Sequence, residues 1–296
     1  MTEEKNQVEE AFAALEEKKL SRKDFLKLTA SVGAAAGAAL AVSDLINPLS
    51  AGAKEEAKQK HRYAMVIDLT RCIGCEACSV ACKVEHNVPP APGEDVSRRI
   101  QWTEVSFHER GEYPYVKTDL NPRPCFHCEN PPCVRVCPTG ATYQDKERGL
   151  VLQRYERCIG CRYCALACPY SARYFNWKKP EWRSKEREQA LNPDPHWGIK
   201  KRYKGIIEKC TFCVERLDRL EAKAELEGRS LTDKELHLVC TCVNTCMGRA
   251  RHFGDLNDPD STVSKLVRSG RAFRFHEDLG TEPKVYYLND VSSAKG

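Results

Sequence analysis

The sequence holds no apolar run of the length that crosses a bilayer. Its most apolar stretch, Leu28 to Val42, is rich in Ala and Gly and stops at Ser43-Asp44. A membrane-spanning helix needs about 20 apolar residues. The rest of the chain is therefore expected to be soluble or peripheral. No phosphate-binding loop, dinucleotide fingerprint or nucleophile–base constellation is present, so no substrate site and no catalytic residue is expected. Cysteine, at 17 of 296 residues, is too sparse for a disulfide scaffold, which takes about 8–10 %. Neighbours such as Cys72 and Cys75 would also make strained local bridges.

Sixteen of the cysteines nevertheless fall into four clusters of four. The first is Cys72, Cys75, Cys78 and Cys82. The second is Cys125, Cys128, Cys133 and Cys137. The third is Cys158, Cys161, Cys164 and Cys168. The fourth is split into Cys210 and Cys213, then Cys242 and Cys246. The first and third share gaps of two, two and three residues, and the second has a longer middle gap. That spacing is the bacterial ferredoxin run, whose fourth cysteine ligates the other cluster. Two intervening residues curl the backbone tightly enough for three sulfurs to face one centre. The fourth thiol begins the next element and points away. Pro138 and Pro169 follow the last cysteines of runs two and three and fix the exit direction. Thiolate quartets also hold zinc, usually as two ligand pairs. A zinc-stabilised structural or assembly protein is therefore the alternative reading; colour separates the two.

Residues 1–53 read as an export signal. A polar start leads to Ser21-Arg22-Lys23-Asp24-Phe25-Leu26-Lys27, then the Ala/Gly stretch, then Ala51-Gly52-Ala53 as a small-x-small cleavage site. The string resembles a twin-arginine signal with Lys23 in place of the second arginine. That route carries folded proteins, which suits clusters loaded before export, and it predicts a periplasmic location. Beyond residue 53 the chain carries 41 Lys and Arg against 34 Asp and Glu. Four oxidised cubanes with their thiolates contribute about −8, which the basic excess roughly offsets. Lys178, Lys179, Lys200, Lys201 and Arg202 then read as a solvated face rather than a nucleic-acid patch.

Tyr63–Asp68 is a short strand pattern that feeds the first run. Residues 83–124 form an insertion with a hairpin from Trp102 to Val116, turning near Arg110-Gly111. Runs two and three lie close together, as in a compact two-cluster ferredoxin. Runs one and four flank them. This nesting predicts an α+β fold of two bacterial-ferredoxin-like lobes related by pseudo-symmetry, with loop and helical insertions. The first lobe is 61–120 plus 205–260. The second lobe and a surface connection occupy 121–204, and 261–296 is a C-terminal extension; residues 171–209, polar and holding Pro180, Pro193 and Pro195, are expected to connect the third and fourth runs across the surface. Residues 214–239 read as two helices: Val214, Leu217, Leu220 and Ala224 recur at helical spacing, Gly228 ends the first, and Thr232 with Glu235 caps the second. Val285–Leu288 reads as a strand packing back onto a lobe. His127 reads as a donor to a cluster sulfur or, equally, as a satisfied surface histidine.

The four runs, with Lys209–Cys213 and His252–Leu256, resemble the four-cluster ferredoxin-type iron–sulfur subunits of membrane-associated respiratory oxidoreductases. These include polysulfide, tetrathionate, dimethyl sulfoxide and nitrite reductase relatives. The signal and Arg173–Pro180 are most similar to the periplasmic iron–sulfur subunit of the sulfite-reduction-linked membrane complex. The resemblance implies an electron-transfer subunit with four 4Fe-4S clusters and crossed ligand sets. These are Cys72, Cys75, Cys78 and Cys246; Cys210, Cys213, Cys242 and Cys82; Cys125, Cys128, Cys133 and Cys168; and Cys158, Cys161, Cys164 and Cys137. It implies as partners an integral membrane quinone-reactive subunit and a cytochrome c or catalytic subunit. Lys83 and Met247 stand where prolines are expected. Cys240 stands where proline is common, and is expected to be a buried spectator thiol.

Overall fold

Tyr63–Asp68 (β1) is buried along its whole length, which requires cover on both faces. The residues alternate between two apolar clusters, with Tyr63, Met65 and Ile67 in the main core and Val66 in a smaller one with Val263 and Leu288. The molecule is seen in a computed structural model that describes residues 59–89, 99–179 and 203–289. The chain divides into Met1–Lys58 and Gln59–Gly296; the expected export signal lies outside the described residues.

After β1 come α1 (Ala77–Glu85), β2 (Thr103–Arg110), β3 (Lys117–Pro124), α2 (Pro132–Arg135), β4 (Thr142–Asp145), β5 (Leu150–Gln153), α3 (Tyr163–Leu166), β6 (Tyr174–Phe175) and β7 (Ile207–Glu208). Then follow α4 (Val214–Leu226), α5 (Asp233–His237), α6 (Thr241–Asn244), β8 (Arg251–Asp255), α7 (Thr262–Val267), β9 (Ala272–Phe273) and β10 (Val285–Leu288). One four-stranded sheet has the order β8-β1-β10-β9, and three two-stranded ribbons are β2-β3, β4-β5 and β6-β7. β1 runs antiparallel to β8, from Tyr63 opposite Asp255 to Ile67 opposite Arg251, and parallel to β10. The content is mixed helix and strand, as expected.

The insertion hairpin forms, but its return strand lies beyond Val116. Arg110 pairs with Lys117 and Thr103 with Pro124, so β3 runs straight into Cys125. Only the base of the hairpin is buried, at Trp102 and Val105. The two helices expected within 214–239 are α4 and α5. Leu217 and Ala224 are buried on the inner face of α4, and Gly228 supplies the left-handed residue after it. The Thr232–Glu235 capping box is complete in both directions. Val285–Leu288 becomes an interior strand of the main sheet. The expected surface connection 171–209 is described at its two ends only. These ends pair as β6 and β7, and Ile206 to Lys209 is buried rather than exposed.

Helix packing brings the cysteine runs together. α1 packs on α6, and α2 packs on α3. Elements of the first and fourth runs thus meet, as do elements of the second and third.

Candidate metal centres

The first Cys-x-x-Cys turn of each run carries a left-handed residue immediately before its second cysteine: Gly74, His127, Gly160 and Phe212, all at positive φ. A left-handed residue bends the loop back on itself, so that successive N–H groups and sulfurs face one centre. Glycine adopts this without cost; His127 and Phe212 do so only because surrounding contacts hold them. The third cysteine of every run occupies the second position of a short helix: Cys78 in α1, Cys133 in α2, Cys164 in α3 and Cys242 in α6. Backbone N–H groups donate to sulfur at Cys137 from Thr142 (3.4 Å), at Cys210 from Phe212 (3.4 Å) and at Cys246 from Ala250 (3.2 Å).

The thiols gather three from one run with one from another. Cys72, Cys75, Cys78 and Cys246 line one cavity, walled by Ile73, Val105 and Pro122. Cys125, Cys128, Cys133 and Cys168 line a second, with Phe126, Val151 and Tyr170. Burial pushes the Cys82 thiol well up, and the neighbouring Cys210, Cys213 and Cys242 push it further. Cys158 and Cys164 pack in a small apolar cluster with Val134 and Val136, the chain segment that leads into Cys137. For Cys137, Cys158, Cys161 and Cys164 the link is this cluster and the contact of α2 with α3. Cys75 and Cys161 are exposed.

The donor set fits 4Fe-4S clusters. Burial, then neighbouring thiols, push Cys128 up to about 12, and burial does the same at Cys242. Four thiols packed in apolar walls ionise only when metal charge offsets their own, and soft thiolates are the ligands that iron–sulfur clusters, like zinc, take. Among the described residues no three His, Cys, Asp or Glu side chains are gathered tightly enough for a single ion; the thiols stand around the cavity walls instead.

Several functional neighbours escaped the sequence reading. Arg173 and Arg251 are 7 % and 2 % exposed. Arg251 lines the first cavity and Arg173 the second. A signal for both exists in the chain: Cys168-x-x-x-Ala172-Arg173-x-Phe175 repeats as Cys246-x-x-x-Ala250-Arg251-x-Phe253. His86 is buried, with Nε2 3.2 Å from Cys213 Sγ, and no local motif marks it. Cys240 is buried as expected; its thiol donates to the Phe212 carbonyl at 3.4 Å and also lies against Cys213.

His127 does not serve a sulfur. Val151 N–H donates to its Nδ1 (3.1 Å), which leaves Nε2 to donate to the Cys210 carbonyl (3.1 Å). Burial first, then Lys209, hold it neutral. Its ring stacks on Phe212 at 3.9 Å. It ties the second cysteine run to the fourth, where Cys125 and Cys210 are electrostatic neighbours.

Two profiles of the 4Fe-4S dicluster domain match the chain, over residues 71–141 and 116–189. The menaquinone reductase iron–sulfur cluster-binding subunit of Nitratidesulfovibrio vulgaris is 44 % identical, over 78 % of this chain and 89 % of its own length. The Hdr-like menaquinol oxidoreductase iron–sulfur subunit 1 of Archaeoglobus fulgidus is 35 % identical over 90 % of this chain and 97 % of the relative. The arsenate respiratory reductase iron–sulfur subunit of a Shewanella species is 36 % identical over 77 % of this chain and 96 % of the relative.

Proposed function

Because this chain belongs to the family of ferredoxin-type iron–sulfur subunits of respiratory oxidoreductases, we propose that its four 4Fe-4S clusters form one linear relay held by crossed ligand sets. Bound clusters supply one-electron redox centres. The chain's own part is to hold, space and insulate them. The first site takes Cys72, Cys75, Cys78 and Cys246. The second takes Cys210, Cys213, Cys242 and Cys82, the third Cys125, Cys128, Cys133 and Cys168, and the fourth Cys158, Cys161, Cys164 and Cys137. The observation that carries the crossing is the cavity where Cys246 joins three thiols more than 160 residues earlier in the chain.

The order follows from neighbours. Cys78 is close to Cys242, which links sites one and two. Cys210 is close to Cys125, which links two and three. Cys133 is close to Cys164, which links three and four. Exposed Cys75 and Cys161 put an accessible edge at each end of the relay. Around them Ile73, Val80, Val84 and Met247 are exposed at one end, and Ile159, Tyr163 and Leu166 at the other. Two partners, one per end, suit this arrangement. The menaquinone and menaquinol names of two relatives favour a membrane quinone-reactive subunit at one end and a cytochrome c or catalytic subunit at the other. Among the described residues no helix is long and apolar enough to cross a membrane, and this reading has the chain attach through its partners. The Arg22-containing signal favours the periplasmic face and export before assembly. The sulfur-linked complex suggested by Arg173–Pro180 is the specific setting proposed.

Iron and sulfide analysis tests the site reading. About 16 iron atoms per chain are expected from four cubanes. A content near half of that, or stoichiometric zinc, would sink it.

A further inference from the structure

A charged side chain is costly to bury without a counter-charge. Arg173 and Arg251 are both buried, yet the groups nearest their charges are not carboxylates. Arg251 Nη2 donates to Thr103 Oγ1 at 3.0 Å, and its Nη1 lies 3.9 Å from Met65 Sδ. Arg173 Nη1 donates to Thr142 Oγ1 at 3.1 Å and to Gln153 Oε1 at 3.3 Å. Its Nη2 is buried with no hydrogen bond to oxygen or nitrogen among the described residues. These partners orient the guanidinium groups but do not neutralise them. The groups that do face them are thiols. Arg251 neighbours Cys78, Cys242 and Cys246; Arg173 neighbours Cys133, Cys164 and Cys125. Each arginine thus lines one cluster cavity and also neighbours a thiol of a second site. Each also lies five residues after the last cysteine of its run, at matching places of the Ala-Arg-x-Phe repeat.

We propose that Arg173 and Arg251 are fixed internal cations, each shared by two clusters and raising the reduction potentials of both. The proposal rests on the crossed ligand sets given above. Guanidinium stays charged at any working pH, so the effect is permanent and not switched by protons. A cubane with its four thiolates carries about −2 when oxidised and gains one more negative charge on reduction. A cation in a low-dielectric wall favours the more negative state of both neighbours. Arg173 acts on sites three and four, and Arg251 on sites one and two.

The test is a potentiometric titration of the full-length holoprotein with dithionite and mediators, followed by electron paramagnetic resonance. Each accepted electron comes from dithionite. Signals are assigned to sites with Cys→Ser variants of single ligands. Arg173→Met and Arg251→Met remove the charge. Arg173→Gln and Arg251→Gln keep a hydrogen-bond donor without charge, and the two Lys variants keep the charge. The Met and Gln variants are expected to lower the potentials of their own two clusters by a tenfold shift in the oxidised-to-reduced ratio or more. That shift is about 59 mV for a one-electron couple. The Lys variants should stay well inside that shift, and the other pair of clusters should not move. Iron and sulfide content is measured on every sample. Potentials unchanged in whichever neutral variant retains its full iron would overturn the proposal, and so would equal shifts in Lys and Met variants. If every neutral variant loses its clusters while the Lys variant also fails, the charge is not the operative feature and the proposal falls. Failure of the ligand-set reading is visible separately, as wild-type iron well below about 16 or signals lost with the wrong cysteine.

Discussion

At the scale of single residues, what distinguishes a ligand from a bystander is the direction its sulfur faces. Cys240 and Cys242 are two residues apart and both buried, but the Cys240 thiol is spent on the Phe212 carbonyl. Cys240→Ala is expected to leave iron content at the wild-type value, while Cys242→Ala loses the second cluster. The reverse result, read by iron analysis and resonance spectra, would displace the ligand assignment by two residues. Glycine positions separate in the same way. A Cβ on Gly160, at φ +69°, would sit 2.1 Å from the Gly205 carbonyl oxygen, whereas on Gly140, at φ +62°, it would meet nothing within 4 Å. Both alanines carry the left-handed penalty of roughly 1–2 kcal/mol. Only Gly160→Ala must also move backbone beside Cys161. We expect Gly160→Ala to lose iron and Gly140→Ala to keep it. Equal iron in both would show that the close approach to Gly205 is tolerated.

Secondary-structure elements are where local chemistry was most legible. β1 begins and ends where its apolar pattern does. α5 starts at the residue its capping box names, because Thr232 and Glu235 satisfy backbone donors within one turn. Thr232→Ala should cost about 1 kcal/mol, concentrated in α5. Faster amide exchange across Asp233–His237, with unchanged iron, is the expected readout; unchanged exchange would count against the cap. A hydrogen bond from Arg229, then those from Thr232, hold the Glu235 carboxyl down to about 2. A lowered carboxylate contributes above its ordinary value and loses that contribution as pH falls through about 2. The charge that Glu235 brings to the cap is therefore present at neutral pH. β2-β3 was legible only in part. Its turn lies where glycine sits, but β3 carries Pro122 and Pro124 and lacks the apolar alternation that marks a strand; pairing with β2 makes it one.

For the whole molecule, the clusters are part of the core. The main apolar cluster contains Cys78, Cys82, Cys125, Cys128, Cys210, Cys213, Cys240 and Cys242 beside Tyr63, Phe126 and Phe253. Removing iron leaves thiols crowded in cavities and two buried guanidiniums without their counter-charge. Metal binding and folding should therefore be one event. Stripping iron with acid and chelator is expected to abolish the near-ultraviolet circular dichroism and expose dye-binding apolar surface. An iron-free protein that keeps its near-ultraviolet signal would show that the polypeptide core stands alone.

Cysteine spacing is a local property, and it determined the cluster type and number without reference to the fold. Two residues between thiols leave the backbone few ways to curl, and it is the whole run Cys72, Cys75, Cys78 and Cys82, rather than a single pair, that points to a cubane before any fold is known. Other features were decided only where distant segments meet. Cys246 joins Cys72 because β8 pairs with β1. Which role His127 takes was open in the sequence because its partner, the Cys210 carbonyl, lies 83 residues away, and a sequence shows which groups a ring carries but not which of them are already bonded. The charges of Arg173 and Arg251 stood in plain view in the chain. That they are buried, and that thiols rather than carboxylates face them, follows from tertiary packing alone, because burial and counter-charge are properties of the space around a side chain.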